Sequence, residues 1–217
     1  RVAVAGTLAF VVTDRGLQVV DASHAASPTV VATIGGPYTD HVDAVAASGG
    51  LVVVAMNWRK LRVYDVSQPA APVELGFADL DASFTEDIVI ADGKAYLAMW
   101  SGFQVVDISD PTAPIPIAFA EIHAHALGLE VIDDLAVLAD NQGLRVVDIS
   151  DPAMPVEIGL MPTPGAAQAV SDWGSRALLA DGEGGLRIVD LEDPSVPAQI
   201  GLLDDIWVAG EVAAADI

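Results

Sequence analysis

The 217-residue chain has no cysteine, only two lysines (Lys60 and Lys94), and few aromatic residues, at 6%. Without cysteine there are no disulfides, no thiol catalysis and no thiolate-held metal. Basic residues number 9 against 31 acidic ones, and the net charge of −22 argues against nucleic acid and anionic membrane surfaces as partners. That charge reads as a solubilising surface with a salt-adapted bias. No apolar run reaches the ~18 to 20 residues of a membrane-spanning helix. The opening "RVAVAGTLAF" shows neither a start Met nor a signal peptide with its cleavage site. A calcium-type Asp-x-Asp-x-Asp-Gly loop, a nucleophilic serine elbow and a phosphate-cradling glycine loop are also missing. "GEGG" (Gly182–Gly185) sits between two strand-like segments and reads as a hairpin turn.

What is present is repetition. Apolar residues make up 53% of the chain, enough to pack a core rather than remain disordered. Short apolar runs close on an aspartate at Asp21, Asp65, Asp107, Asp148 and Asp190, at intervals of 44, 42, 41 and 42. Seven residues after each aspartate stands a proline: Pro28, Pro72, Pro114, Pro155 and Pro197. Each period holds four segments rich in Val, Ile and Leu, as in "LGLEVI", "LAVLAD", "LRVVDIS" and "VEIGLM" of the fourth period. Turn pairs such as Asp92-Gly93, Gly49-Gly50 and Asp151-Pro152 separate them. These are strand and turn signals; the prolines leave no room for paired helices.

Runs such as "LVVVAM" and "AYLAMW" do not alternate apolar with polar, so these strands are covered on both faces. The expected fold is all-β: a β-propeller of four-stranded antiparallel blades with ~42-residue repeats, each blade sandwiched between its neighbours. Five full repeats are expected at 1–36, 37–79, 80–121, 122–162 and 163–203, in a single domain over 1–217, with a partial blade at 204–217. The last segments, "DIWVAG" and "EVAAADI", repeat the pattern of a first and a second strand. They predict a ring of six or seven blades cut from a longer chain, the alternative being a five-bladed ring completed by its terminal strands. The repeated aspartates are expected to accept hydrogen bonds from turn N–H groups, and the prolines to begin an edge strand that needs no donor there.

The third segments, "LQVVDAS", "LRVYDVS", "FQVVDIS", "LRVVDIS" and "LRIVDLE", resemble the LVIVD repeat, over essentially the whole chain. The resemblance implies a β-propeller of a kind found in bacterial and archaeal proteins, often extracellular or at the cell surface. It supplies no catalytic residues. The first two repeats depart from the pattern, with "ASHAASP" and "SQPAAP" in place of the Asp-Pro turn.

Candidate ligand or metal residues lie near the starts of the first strands, which line the channel of a propeller: His41, Asp43, Glu86, Asp87, His123, His125 and Asp204. Asp43, Asp87 and Asp204 are expected at one equivalent position, and His123 and His125 on one side of a strand. Converging carboxylates and imidazoles would suit a divalent cation; the competing reading, which needs no cofactor, is solvated polar groups at strand starts. Trp58, Trp100 and Trp207, with Tyr38, are candidates for a stacking surface or for packing between blades. "NWRKLR" (Asn57–Arg62) is the basic cluster of an acidic chain. The function expected is a non-enzymatic scaffold for a protein or surface polymer. Two alternatives stand beside it: a metal-dependent binder or hydrolase acting at the channel mouth, and a subunit that assembles through blade edges.

Overall fold

The computed structural model describes the chain except for residues 37–40, 82–83, 123–124, 205–209, 211 and 213–217. Its described residues form twenty strands and no helix. The first sheet holds β1 (Val2–Ala5), β2 (Leu8–Thr13), β3 (Gly16–Asp21) and β4 (Thr29–Ile34). The second holds β5 (Val42–Ser48), β6 (Leu51–Met56), β7 (Lys60–Asp65) and β8 (Val73–Asp79). The third holds β9 (Thr85–Ala91), β10 (Lys94–Met99), β11 (Gly102–Asp107) and β12 (Ile115–Glu121). The fourth holds β13 (Ala126–Ile132), β14 (Leu135–Asp140), β15 (Gly143–Asp148) and β16 (Val156–Pro162). The fifth holds β17 (Ala169–Asp172), β18 (Arg176–Ala180), β19 (Leu186–Asp190) and β20 (Ala198–Leu203).

In every sheet the strands lie in chain order, as short turns between neighbours dictate. Each sheet falls within one expected repeat. Cα packing divides the chain into two compact units, 1–96 with 106–116, and 97–105 with 117–217. The division runs through the third sheet.

The two-faced apolar pattern is explained by what covers each face. Within the first unit, Phe10, Leu17 and Val19 of the first sheet pack with Val52, Val54 and Met56 of the second. Within the other unit, Val137, Ala139, Leu144 and Val146 of the fourth sheet pack against Ala177, Leu179 and Val189 of the fifth. Burying these side chains supplies about 25 cal/mol per Å² of apolar area, and no sheet has that gain alone.

One irregularity recurs. The pairing of third and fourth strands shifts register at Val19/Val20, Val63/Tyr64, Val146/Val147 and Ile188/Val189. Each shift is a bulge that adds a residue to the outer strand and sharpens its twist. The residue after the bulge is small each time: Ala32, Gly76, Gly159 and Gly201. The reason is visible at two of them. A Cβ on Gly76 would stand 2.6 Å from the carbonyl oxygen of Thr112, and one on Gly159 would overlap that of Pro194. The turn before the outer strand of the following sheet rests on that spot.

Candidate functional site

The two ends of each sheet use their polar residues differently. At one end lies the turn between third and fourth strands. There Asp21, Asp65, Asp107, Asp148 and Asp190 each accept the N–H of the second residue on, at 2.7–3.0 Å: Ser23, Ser67, Ser109, Ser150 and Glu192. The next N–H in all five, from Ala22, Val66, Ile108, Ile149 and Leu191, donates to the carbonyl of the turn joining first and second strands. The hydrogen bonds from Ser23, Ser67 and Ser150, and at Asp107 those from the Ser109 hydroxyl and N–H, stabilise the carboxylates, so Asp21, Asp65, Asp107 and Asp148 titrate below the ordinary 3.8. Pro28, Pro72, Pro114, Pro155 and Pro197 each directly precede an outer strand, where a missing donor costs no ladder bond.

The opposite end differs from repeat to repeat. In the second sheet, His41 and Asn57 bridge the start of β5 and the end of β6. The His41 N–H donates to Asn57 Oδ1 at 3.1 Å, and the Asn57 N–H donates to the His41 carbonyl at 2.8 Å. His125 and Asn141 repeat this in the fourth sheet, at 3.4 and 3.3 Å. The Asp43 side chain is 5% exposed; one of its oxygens lies 2.9 Å from His41 Nδ1 and the other accepts the Trp58 N–H at 3.1 Å. Burial pushes the Asp43 carboxyl above the ordinary 3.8 and the Glu86 charge adds to that, while the Trp58 and His41 hydrogen bonds oppose it.

Ring pairs mark the same end. His41, Phe84 and His125 each stand immediately before a first strand. Trp58, in the turn after β6, lies 5.5 Å from Phe84 between ring centroids. Trp100, in the turn after β10, stacks on His125 at 4.2 Å with 28° between planes. Trp58 and Trp100 are both more than half exposed. Beside the second pair opens a cleft of about 620 Å³, lined by Trp100, Ser101, Phe119, Glu121, Ile122, His125 and Asn141. Gly102 shapes its floor, because the Phe119 ring occupies the space that a Cβ there would need.

Two buried carboxylates at this end are fully committed. Asp140 accepts the N–H groups of Gln142 and Gly143 and, at 2.8 Å, Arg145 Nε. Asp181 accepts Thr163 Oγ1, the Gly165 N–H and, at 2.7 Å, Arg187 Nε. Each arginine continues to the outer strand, Arg145 to Glu157 and Arg187 to Gln199. Arg62 meets Glu74 in the same way at 2.7 Å. Sequence reading missed these ladders, although arginine stands at the second place of three third segments, with Glu or Gln twelve residues on.

Of the residues proposed for a ligand or metal, His41 and Asp43 come together and Glu86 is close enough to raise Asp43. Glu86 is itself ion-paired with Arg1. Asp87 accepts the neighbouring Ile88 N–H, and Asp204 is exposed. His125 belongs to the cleft of the other unit. His123, Trp207 and Tyr38 lie outside the described residues, as does nearly all of the partial blade at 204–217. The expected equivalence of Asp43 with Asp87 needs correction: strand bounds align Asp43 with Glu86, and Asp87 with Ala44 and Gly128. Asp43 is the residue passed over where the β5–β6 pairing shifts between Val42 and Ala44, as Leu127 is in β13 between Ala126 and Gly128. Among the described residues, no three His, Asp or Glu side chains converge as a metal-holding group.

The LVIVD repeat family matches residues 1–34, 40–79, 84–118, 125–163 and 164–205, one stretch for each sheet. The chain belongs to that family. LVIVD repeats form β-propellers, and the five sheets are blades. No curated protein matches the chain. Among solved structures, the computationally designed Ika8 protein is similar, with a TM-score of 0.75 at 13% identity. The match covers 99% of this LVIVD chain and 64% of the designed one, so the chain spans less than two thirds of that protein. At such identity the likeness speaks for the fold alone.

Proposed function

We propose that this LVIVD propeller is a non-enzymatic interaction module that grips a protein partner at the end of its blades carrying the ring pairs. The observation that supports this reading is the exposed Trp100 stacked on His125 at the rim of the 620 Å³ cleft. A tryptophan more than half exposed is large, rigid and amphipathic, which is what binding anchors require. Asn141, Ser101 and Glu121 add hydrogen-bonding groups around an aromatic floor. The carboxylates at the turn end already accept backbone donors, and the buried ones are held by arginine, so neither set is placed for acid–base work. The proposed setting is extracellular or at the cell surface, by analogy with the family.

Peptides selected from a displayed library against the whole chain test this. Selected peptides are expected to bind a Trp100→Ala variant at least roughly tenfold more weakly. Binding to Asp148→Asn, altered at the turn end, is expected to stay unchanged. Trp100→Ala is expected to move Tm by no more than about 4 °C, as for a surface change. Peptides that bind Trp100→Ala as well as the parent contradict the proposal. A propeller that selects no peptide but retains a surface polysaccharide through Trp100 would replace the protein partner with a polymer.

A further inference from the structure

The basic cluster Asn57–Arg62 closes on its own blade. Arg59 donates through Nε and Nη2 to the Leu80 carbonyl at 3.2 and 3.1 Å, and through Nη2 to the Asp81 carbonyl at 3.1 Å. The Lys60 ammonium stands 5.0 Å from the centroid of the Phe77 ring and donates to Asp79 at 2.8 Å. The second blade thus holds a cation between an aromatic ring and a carboxylate, both of which attract positive charge. The third blade keeps that ring and acid and lacks the cations. Equal lengths of β7 and β11, and of β8 and β12, set Gly102 in the place of Lys60, Ser101 in that of Arg59, Phe119 in that of Phe77 and Glu121 in that of Asp79. Around those same four residues opens the cleft of about 620 Å³, with no lysine or arginine in its lining. Gly102 has no side chain to offer, and the Phe119 ring lies 2.5 Å from where a Cβ would stand. The third blade therefore supplies no cation of its own to Phe119 and Glu121.

We propose that the Trp100 cleft takes a cationic side chain, arginine or lysine, from a peptide segment of the partner, which meets Phe119 and Glu121 as Lys60 meets Phe77 and Asp79. This rests on the reading of the cleft as a protein-binding site and adds the chemistry of its occupant. Charge favours the same occupant: with 31 acidic residues against 9 basic ones, the chain attracts basic segments and repels acidic ones. The cleft is far larger than a lone guanidinium, and Ser101 and Asn141 in its lining can hydrogen-bond a peptide backbone.

The probes are the peptide acetyl-Gly-Ser-Arg-Ser-Gly-amide and its citrulline twin, which keeps the shape of arginine and loses the charge. Binding to the whole chain is read from the indole N–H resonance of Trp100, assigned by its loss in Trp100→Ala. The arginine peptide is expected to bind at least about fivefold more tightly than its twin, by a margin that shrinks as salt is raised. Glu121→Gln is expected to remove most of that preference, and Asp148→Asn, at the turn end, to leave it unchanged. Ser101→Arg restores the counterpart of Arg59 at a position that already carries a Cβ. It is expected to fill the cleft from within and weaken the arginine peptide at least about fivefold, with Tm moved by less than about 2 °C. Equal binding of the two peptides, or binding of neither, overturns the proposal, as does a preference that survives both Glu121→Gln and Ser101→Arg. Arginine amide that binds as tightly as the peptide would assign the cleft to a small cation and overturn the peptide source. The two readings fail separately. Library peptides that need Trp100 but carry no basic residue overturn this one alone. Library peptides indifferent to Trp100 overturn the protein-binding reading, and the arginine–citrulline pair still decides whether the cleft selects a cation.

Discussion

The fourth and fifth blades have nearly the same sequence plan and very different burial. The second strands "LAVLAD" and "RALLA" carry a buried aspartate at their last position or directly after it, and "LRVVD" and "LRIVD" belong to third strands that place an arginine against it. Yet Leu144 is fully buried while Leu186 is not. The difference does not reside in either strand. It comes from the neighbour: the fourth blade is covered by the fifth, and the corresponding face of the fifth has no described cover. Burial in a stack of sheets is thus a property of adjacency, and so is most of the stabilisation it brings.

That view makes graded demands on the two blades. Arg145 and Arg187 are both buried against an aspartate, so Arg145→Ala and Arg187→Ala are each expected to cost about 3–5 kcal/mol by stranding a buried charge. Urea melts of both variants check this, and a much smaller loss at Arg187 would mean the fifth blade is loose throughout. The apolar face should separate the blades. Leu144→Ala is expected to cost about 2–5 kcal/mol, with transfer and cavity terms together. Leu186→Ala should cost about 1 kcal/mol, because its side chain is only partly removed from water. Equal losses in the same melts would break the comparison.

The turns should not separate them. Hydrogen bonds from Ser150 hold the Asp148 carboxyl below the ordinary 3.8, and those from Ser195 do so for Asp193. A depressed carboxylate stabilises the fold above its unfolded pKa, and this stabilisation is lost as pH falls through the folded value. Tm is therefore expected to drop below about pH 4, and Asp148→Asn and Asp193→Asn should each flatten that acid limb slightly and equally. Asp43, raised by burial, has the opposite sign: its protonation relieves a cost, so Asp43→Asn should steepen the limb. Thermal melts between pH 2 and 5, a range bracketing ordinary carboxylate titration, measure all three.

How far the sequence revealed this depends on which contacts are local. The strands, their order and the turns were legible because apolar runs, Asp-Pro pairs and diglycines act within a few residues. The aspartate at each third strand bonds two residues away, within reach of a repeat pattern. Trp100 and His125 are different: they meet only because one sheet's turn faces the start of the next, and no spacing rule reports that. Asp140 and Asp181 were not singled out, since "LAD" ahead of a turn gives no sign that an arginine five or six residues on will pair with the buried charge. The shift at the start of β5, which leaves Asp43 as the extra residue of its strand, was also invisible. Ala32, Gly76, Gly159 and Gly201 were in plain view as a small-residue column, but their meaning lay in the adjacent blade.

Hydrogen–deuterium exchange of the intact chain tests the adjacency claim most directly. Amides of β14 and β15 should exchange only through near-global opening, and those of β19 and β20 measurably faster through local opening. Equal protection in the two blades would show that a covered face is not what holds these sheets.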